Sequence, residues 1–465
     1  MVVSGIEVAK NNTRDSCWVV VHGQVWDVTD FLDEHPGGAK LIFKCAGGDA
    51  TEDYDSIHNP DLIAETLSPD RCLGPVDPAS VPRKPSAPAS ETQKPAFPHL
   101  GHMISADDFE KAAQSYLSPM GWAYYSSGAE DEHSVRDSRR VFRRLALRPR
   151  VLRNVDAINT STSILGVSSS MPVYISPTGQ AKYAHPDAET LIARAAGREG
   201  VAYCMPTKPS ASIESIFDAR VDSSQPLFFQ LYVDRDRSKA EAIIRRAEAL
   251  GARAIFVTVD SPVIGKRERD ERLTVGDEPS DAGGVAKATS SGLLNAGLTW
   301  DDLSWIREAT TLPIVIKGIQ SMEDAVLAYE YAVAGIVLSN HGGRSQDTAQ
   351  APMLTLLEIR RYAPHLLAPE ARDRFQVFVD GGIRRGTDVL KALALGASAV
   401  GVGRPVLYAL TCGYGEVGVR RLLQILRREL ETNMALAGAA SVGDIVPEMV
   451  NSERAEKEVT GRVKL

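Results

Sequence analysis

The sequence has no long uninterrupted apolar run and no closely spaced pair of cysteines. Its apolar stretches fall well short of the ~20 residues that a helix needs to cross a bilayer, so we expect no membrane association. The five cysteines are scattered and none has CxxC spacing, which favours reduced thiols in a non-secreted protein. The first residues lack the apolar core of a secretion signal.

Positive charge is also scarce. The 52 Lys and Arg residues against 60 Asp and Glu give a net charge of −8. This balance argues against nucleic acid as a partner and favours a neutral or basic protein partner. With 465 residues the chain is too long for one ordinary domain, and its composition is typical of a globular protein.

A proline-rich segment divides the chain. Residues 75–98 hold seven prolines among Ala, Ser, Lys and Glu, a composition typical of an extended, semi-rigid linker. The sequence therefore predicts a small unit over residues 1–77, a linker over 78–98 and a large unit over 99–465. Inside the large unit, the Gly- and Ser-rich stretch 276–297 predicts a mobile loop.

Short apolar runs rich in β-formers recur through the large unit, most of them separated by helix-like segments such as 238–252. The eight runs lie at 173–178, 202–206, 227–233, 254–260, 313–318, 335–340, 376–382 and 399–405. Continuous apolar runs are typical of parallel strands that are buried on both faces. Eight such units predict an α/β TIM barrel, (β/α)8, whose chemistry lies at the C-terminal ends of the strands.

Polar residues cluster at these predicted strand ends. A single one is often only a helix cap, but seven strand ends carry them, which favours a functional site. The residues are Thr178, Gln230, Tyr232, Asp260, Lys317, His341, Arg344, Asp380, Gly381, Gly382, Gly403 and Arg404.

Glycine and arginine after the last two runs predict a phosphate site. The segments 379–396 and 401–405 combine glycines, whose backbone N–H groups can approach a phosphate, with the charges of Arg384 and Arg404. Lys317 is placed to face the N1–C2=O edge of a flavin and to stabilise its reduced anion. Gln230 suits a hydrogen bond to a ring edge.

The small unit offers two histidines in turn-rich settings, His35 in HPGG and His58 in SIHNP, 23 residues apart. Zinc would require Cys or carboxylate partners at short spacing, which are missing here. Haem iron instead needs two axial donors from opposite walls of an apolar crevice, so the pair predicts bis-histidine haem ligation. Residues 4–77 resemble a cytochrome b5 domain, which implies a small α+β fold that binds haem b.

The large unit resembles the FMN-dependent L-2-hydroxy-acid oxidases and dehydrogenases over residues 103–440. The motifs occur in the family's order: WAYYSSGAEDE (122–132), TVDSPVIGKRERD (258–270), VIKGIQ (315–320) and SNHGGR (339–344). With the preceding haem unit, the chain is similar to the flavocytochrome b2 family of cytochrome-linked L-lactate and L-mandelate dehydrogenases. The resemblance implies oxidation of an L-2-hydroxy acid to the 2-oxo acid, with electrons passed from FMN to haem b and on to cytochrome c.

The same resemblance implies a homotetramer. It also implies the mitochondrial intermembrane space if a presequence has been removed, and otherwise the cytoplasm. Two other functions stay open: an oxygen-using L-2-hydroxy-acid oxidase with an accessory haem domain, and a haem-binding sensor on an inactive barrel. The acidic segments 30–34 and 48–55 of the small unit carry seven carboxylates, which favours a basic carrier such as cytochrome c.

The chemistry of 2-hydroxy-acid oxidation gives roles to four residues. Arg344 offers a bidentate fork for the substrate carboxylate. His341 is the base, either for the carbon-bound proton or for the hydroxyl proton as hydride leaves, and Asp260 is the counter-charge of the imidazolium. Tyr232 bonds or steers the substrate hydroxyl.

The resemblance adds further site residues. It implies that Tyr124 joins Arg344 on the substrate carboxylate and that Arg267 is a second active-site arginine. It also implies cofactor-site positions for Thr178, Thr258 and Ser339.

Two positions depart from the family. Gly179 stands where the family usually has Ala, and Lys208 stands where relatives often carry Leu or an aromatic residue. The missing methyl group at Gly179 widens the pocket where the substrate side chain would lie. The sequence therefore favours a bulky acid such as L-mandelate over L-lactate.

Overall fold

The computed structural model describes residues 2–32, 34–35, 39–55, 58, 62–78, 80, 97–273, 284–290 and 294–459. Residues 36–38 of the HPGG motif, nearly all of the predicted linker and much of the predicted mobile loop lie outside these ranges. Among the described residues, no helix combines the length and the apolar character that crossing a bilayer requires.

The N-terminal domain is built on a four-stranded antiparallel sheet. Its strands, in sheet order, are Asn12–Thr13, Ser16–Val21, Gln24–Asp27 and Cys72–Pro75. Alternate residues of the second strand point to opposite faces: Val19 and Val21 pack in one apolar cluster, and Val20 packs in another. The helices are Gly5–Lys10, Ala39–Phe43, Thr51–Asp55 and Leu62–Thr66, with a 3-10 turn at Pro69–Arg71.

The C-terminal domain is a closed barrel of eight parallel strands, as the sequence predicts. The strands are Val173–Ile175, Ala202–Met205, Leu227–Leu231, Ile255–Thr258, Ile314–Ile319, Gly335–Leu338, Gln376–Asp380 and Ala399–Val402. Both faces of each strand are buried, which explains the continuous apolar runs. Tyr174, Phe228, Phe256 and Phe378 fill the interior of the barrel, and alternate residues such as Phe229 pack in the cluster that includes the outer helices.

Helices surround this barrel and precede it. The larger ones are Ala106–Tyr116, Pro119–Ser126, His133–Arg140, Ala188–Arg198, Ile213–Asp218, Arg237–Ala249, Leu303–Ala309, Met322–Glu330, Pro352–Tyr362, Gly386–Ala394, Arg404–Leu410 and Gly415–Ala437. Short helices occupy Glu268–Glu271, Gly284–Ser290 and Glu453–Glu456. Short antiparallel pairs join Thr162–Ile164 with Val167–Ser169 and Ala146–Leu147 with Val450–Asn451.

Two local details differ from the sequence expectation. The helix expected from residue 238 begins at Arg237, because Asp236 is its N-cap and accepts a hydrogen bond from the Ser238 N–H at 3.0 Å. Within the described residues of the predicted loop, 284–290 and 294–297, the segment Gly284–Ser290 is a helix. A carboxylate oxygen of Asp270 accepts the Ala286 N–H at 2.8 Å and stabilises its first turn.

Candidate active site

A cavity of about 1890 Å³ opens at the C-terminal ends of the barrel strands and extends to the crevice of the N-terminal domain. Ordinary ligand pockets have volumes of roughly 300–1,000 Å³, so this one has room for more than a small substrate. The predicted site residues along its wall are Tyr124, Thr178, Gly179, Gln230, Tyr232, Thr258, Arg267, Lys317, His341, Arg344, Asp380, Gly381, Gly382, Arg384, Gly403 and Arg404, together with His35 and His58 from the small domain.

His341 lies between a buried carboxylate and a phenol. Its Nδ1 is 2.8 Å from Asp260 Oδ1, and the Asp260 side chain is fully buried. A carboxylate only accepts hydrogen bonds, so Nδ1 carries the ring proton of the neutral imidazole. The hydroxyl of Tyr232 donates to Nε2 on the other side of the ring, at 3.4 Å. The basic nitrogen is therefore on the Tyr232 side of the ring.

Burial and neighbouring charges set the protonation states of these groups. Burial lowers the pKa of His341, and Asp260 only partly opposes this effect. Burial alone would raise the pKa of Asp260, but His341 and Lys317 outweigh it and lower that pKa. Burial raises the pKa of Tyr232 to about 12. At neutral pH the arrangement holds a neutral imidazole, an ionised Asp260 and a protonated Tyr232.

Two arginines and a tyrosine stand beside this base. The guanidinium carbon of Arg344 lies 5.7 Å from the centre of the Tyr124 ring. Burial, with Arg344 nearby, lowers the pKa of Arg267 to about 10, so Arg267 keeps its charge at neutral pH. The Nε of Arg267 hydrogen-bonds no other described residue. Two cations that line one cavity fit a carboxylate ligand.

Lys317 is a buried cation behind the cavity floor. Its Nζ lies 3.4 Å from Asp380 Oδ2 and donates to Ser339 Oγ at 3.1 Å. Burial alone would lower the pKa of Lys317, but Asp380 and Asp260 outweigh it and raise that pKa. The other oxygen of Asp380, Oδ1, makes no hydrogen bond within the described part of the chain. A permanently charged ammonium group is thus held at the cavity wall.

Arginines gather at the end of the last two barrel strands. Arg384 lies 3.2 Å and Arg139 lies 2.5 Å from the same oxygen of Glu110, while Arg404 donates to the Gly342 carbonyl at 2.7 Å. Burial lowers the pKa of Arg404 to about 10. Arg384 and Arg139 share one carboxylate, and Arg404 forms no ion pair with a described residue, so positive charge is in excess, which fits a bound phosphate.

The neighbouring wall fits the rest of FMN. Gln230 is fixed by two hydrogen bonds: its Oε1 accepts the Thr207 N–H at 3.0 Å, and its Nε2 donates to Thr258 Oγ1 at 3.0 Å. The buried hydroxyl of Thr178 has no hydrogen-bond partner among the described residues. Gln230, Thr258, Thr178 and Lys317 are thus polar groups on a cavity wall next to a phosphate cradle, and they suit the polar edge of a flavin.

Close approach explains two glycine positions. Gly318, directly after Lys317, has φ +112°, and a Cβ built on it would lie 2.5 Å from the Asp260 Cβ. Gly343 has φ +76°, and its Cβ would lie 2.6 Å from the Val135 backbone nitrogen. Gly343 therefore lets the turn after His341 pack against the helix His133–Arg140. The other glycine of this turn, Gly342, lines the cavity.

His35 and His58 face each other across the small-domain crevice. Their ring centroids are 6.2 Å apart and their planes cross at 75°. Two imidazoles that approach each other across an apolar crevice are the axial donors that haem iron needs. Apolar residues such as Val21, Phe31 and Ile63 line the same crevice, so the histidines and the crevice fit a bis-histidine haem.

Ser339 and Asp260 do not line the cavity directly. Ser339 is fully buried, and its hydroxyl accepts hydrogen bonds from Lys317 Nζ at 3.1 Å and from the His341 N–H at 3.1 Å. Its hydroxyl thus positions Lys317, and its place in the cofactor site stays a prediction. Asp260 lies behind His341, as its expected role requires.

Other cavity residues were not singled out from the sequence. Ser176 lies near the end of a predicted strand and Thr207 directly follows one, so the strand-end rule could have found both. Arg139 gave no local indication, because its basic segment before the barrel is typical of a solvated helix face. The carboxylate that holds it, Glu110, lies 29 residues away along the chain.

Comparison with known proteins agrees with this geometry. Residues 113–452 match the family model for FMN-dependent dehydrogenases, and residues 5–77 match the cytochrome b5-like heme/steroid binding domain. L-lactate dehydrogenase (cytochrome) of Wickerhamomyces anomalus is 40% identical over 457 residues, which are 96% of this chain and 79% of that protein. Glycolate oxidase 3 of Oryza sativa subsp. indica is 42% identical over 361 residues, 74% of this chain and 95% of that protein.

A solved flavocytochrome b2 mutant with benzoylformate is 39% identical, with a TM-score of 0.73, over 80% of this chain and 92% of that chain. The family match spans well over half of the chain and includes the barrel whose strand ends carry the candidate site. The chain therefore belongs to the FMN-dependent dehydrogenases, with FMN as the cofactor of the barrel and haem as the cofactor of an N-terminal cytochrome b5-like domain.

Proposed function

We propose that this protein oxidises an L-2-hydroxy acid to the corresponding 2-oxo acid and passes the electrons through haem b to cytochrome c. The observation that carries the proposal is the placement of His341, backed by buried Asp260, in one cavity with Arg344 and Arg267. A base and a carboxylate clamp beside a flavin cradle are the groups that this reaction requires. The L-lactate dehydrogenase (cytochrome) named above supports the same reaction class.

The reaction removes two electrons and two protons from the substrate, one proton from C2 and one from its hydroxyl. When bound, FMN accepts the two electrons, and haem relays them one at a time to two cytochrome c molecules. The protein's own part is to hold the carboxylate, to orient the C2–H and O–H bonds and to take up a proton.

His341 Nε2 takes up that proton, from C2 or from the hydroxyl. Its lowered pKa keeps it neutral and ready at neutral pH, and Asp260 stabilises the imidazolium that forms. Tyr232 keeps its proton, since burial raises its pKa to about 12. With substrate bound, this O–H donates to the substrate oxygen in place of His341 Nε2, which leaves Nε2 free to accept the proton.

Arg344 and Arg267 bind the substrate carboxylate, with Tyr124 alongside. Both guanidinium groups line the cavity near His341, so a carboxylate held between them brings the adjacent C2 toward the base. Positioning of this kind contributes to the rate because the reacting atoms no longer have to find each other.

Gly179 favours a bulky substrate side chain. A Cβ at this position would meet only the Lys208 carbonyl oxygen within 4 Å, at 3.5 Å, so the space that a methyl group would fill is open. The flavocytochrome b2 mutant with benzoylformate supports an aryl side chain in a pocket of this fold. An L-mandelate-like acid is therefore the proposed substrate, with L-lactate as the smaller alternative.

The small domain is the proposed exit for electrons. Asp30, Glu34, Asp49, Glu52 and Asp53 are exposed on it, and an acidic surface steers a basic carrier such as cytochrome c. By family resemblance the protein is a homotetramer. A cytochrome c acceptor fits the mitochondrial intermembrane space if a presequence has been removed, and otherwise the cytoplasm.

An anaerobic optical experiment tests the proposal. L-mandelate or L-lactate added to the protein should bleach the flavin absorption, after which the sharp bands of reduced haem should appear. His341→Gln, which keeps a polar side chain of similar size, should retain FMN yet bleach at least 10²-fold more slowly. Flavin bleaching without haem reduction, reversed by oxygen, would favour the oxidase alternative.

A further inference from the structure

Lys182 of the barrel contacts the haem domain at His58. Its Nζ donates to the His58 carbonyl oxygen at 3.3 Å. Lys208 lies in the segment after the second barrel strand, and both lysines line the cavity shared with the haem crevice and its two histidines.

The two lysines stand on one fixed platform. The Lys182 backbone N–H donates to Ser210 Oγ at 3.3 Å, which ties the two segments together. Buried Glu189 reinforces the tie, because its carboxylate accepts the N–H groups of Ala181 at 3.4 Å and of Ser210 and Ala211 at 3.0 Å. The barrel thus fixes the two backbone segments that carry these lysines relative to each other.

We propose that Lys182 and Lys208 are a docking pair: they hold the His58 side of the haem domain against the barrel and raise the reduction potential of the haem. Reduction adds one negative charge to the haem site, and two nearby cations stabilise that state. The same contacts hold the haem domain close to the flavin site of the barrel. They therefore increase the rate of electron transfer from flavin to haem, and the higher haem potential makes that transfer more favourable.

This inference depends on the electron route proposed above, but it can be tested separately. The haem midpoint potential of the full-length protein is measured by reductive titration with dithionite and mediators, without any substrate. Lys182→Gln and Lys208→Gln each remove one positive charge at a distance of several ångströms from the haem. Each variant should therefore lower the ratio of reduced to oxidised haem about two- to fivefold at a fixed solution potential. The double variant should lower it about tenfold, which corresponds to about 59 mV for a one-electron couple.

Lys239→Gln is the matched control. Lys239 lines the same cavity from the helix Arg237–Ala249, but its side chain makes no hydrogen bond to any described residue of the haem domain. The conservative variant Lys208→Arg should restore the potential, because the charge and not the residue type is required. In stopped-flow measurements the Gln variants should transfer electrons from flavin to haem more slowly than the native protein, relative to the rate of flavin reduction by substrate. Added salt should reduce this difference between the variants and the native protein.

An unchanged midpoint potential in the double variant would overturn the inference, as would an equal shift in Lys239→Gln. A failure of substrate to bleach the flavin would instead contradict the proposed function, and the potentials would still report on the lysine pair.

Discussion

Replacing Asp260 with Asn tests the proposed base most directly. The carboxylate is fully buried and accepts from His341 Nδ1 at 2.8 Å, so an amide of the same shape fits the space but carries no charge. If its NH2 group faces Nδ1, the imidazole proton moves to Nε2 and the base is blocked. If its oxygen faces Nδ1, the tautomer survives but the imidazolium loses its counter-charge. Both orientations slow the reaction.

The expected size follows from the electrostatics of the pair. Two unit charges about 4 Å apart interact by about 4 kcal/mol at an effective dielectric constant of 20. A proton only partly transferred in the transition state feels part of this, about 3–4 kcal/mol, which corresponds to roughly a 10²- to 10³-fold slower flavin reduction. The loss should appear in the rate of flavin reduction at saturating substrate rather than in substrate affinity.

The variant should also shift the acid limb of the pH–rate profile to lower pH. His341 must be neutral to act, so the rate of the native protein falls as pH drops through the His341 pKa, which burial holds below its usual 6.5. Asp260 raises that pKa, so its removal lowers the pKa further. The acid limb of the Asp260→Asn profile should therefore lie at lower pH than in the native protein.

The assay is anaerobic stopped-flow flavin reduction between about pH 5 and 8, the range over which histidine titrates. Asp234→Asn is the control, since Asp234 lines the same cavity but accepts a hydrogen bond from the Asp236 N–H. It removes one negative charge without touching His341 and should stay close to the native rate. An Asp260→Asn rate within tenfold of the native one, or an acid limb shifted to higher pH, would refute the assignment.

Four further predictions follow from the site. His58→Ala should abolish the low-spin haem spectrum and leave substrate-driven flavin bleaching intact; retention of a normal spectrum would rule out this ligand. Arg404→Glu should be purified with little FMN, whereas Arg385→Gln, whose parent side chain pairs with Glu429 at 2.7 Å, should keep it; full occupancy in the Arg404 variant would place the phosphate elsewhere. Gly179→Ala should lower kcat/KM for L-mandelate relative to L-lactate about tenfold, since one methyl group changes discrimination by about 1–3 kcal/mol; an unchanged ratio would mean that the side chain lies elsewhere. Deleting residues 1–98 should preserve flavin reduction, because a glycolate oxidase of barrel size exists, but should greatly slow the reduction of cytochrome c, which in the full-length protein should weaken as salt increases; equal rates would favour the oxidase alternative.

The barrel could be predicted because its information is local. Each strand is a continuous apolar run with both faces buried, and the strand-end rule then brings His341, Asp380 and Gln230 to one cavity, where the structure places them. The helix Gly284–Ser290 could not be predicted in this way, because its first turn depends on a hydrogen bond to Asp270, 16 residues away. The fold class and the family were predicted correctly; the roles of the site residues remain predictions.

It was harder to predict whether a side chain lines the cavity or lies behind its wall than to predict that the residue is near the site. Ser339 and His341 are two residues apart in one motif, yet only His341 lines the cavity. The difference arises because Lys317, from the neighbouring strand, takes the Ser339 hydroxyl as a hydrogen-bond acceptor. Such a contact depends on strand pairing between Lys317 and Val337, which no local pattern specifies.

Lys208 shows how a departure from a family pattern acquires a physical meaning. From the sequence it was only a departure from the family pattern, and a cation there had no evident partner in the oxidation of a hydroxy acid. In the structure its side chain is exposed on the wall of the cavity that also holds His58, and its segment is tied to that of Lys182. The substrate pocket is widened at Gly179, whose missing Cβ lies 3.5 Å from the Lys208 carbonyl oxygen. Under the two proposals above, the backbone of this segment borders the substrate and its side chain faces the haem domain, so the two departures would act on different steps: Gly179 on which acid is oxidised, and Lys208 on where its electrons go.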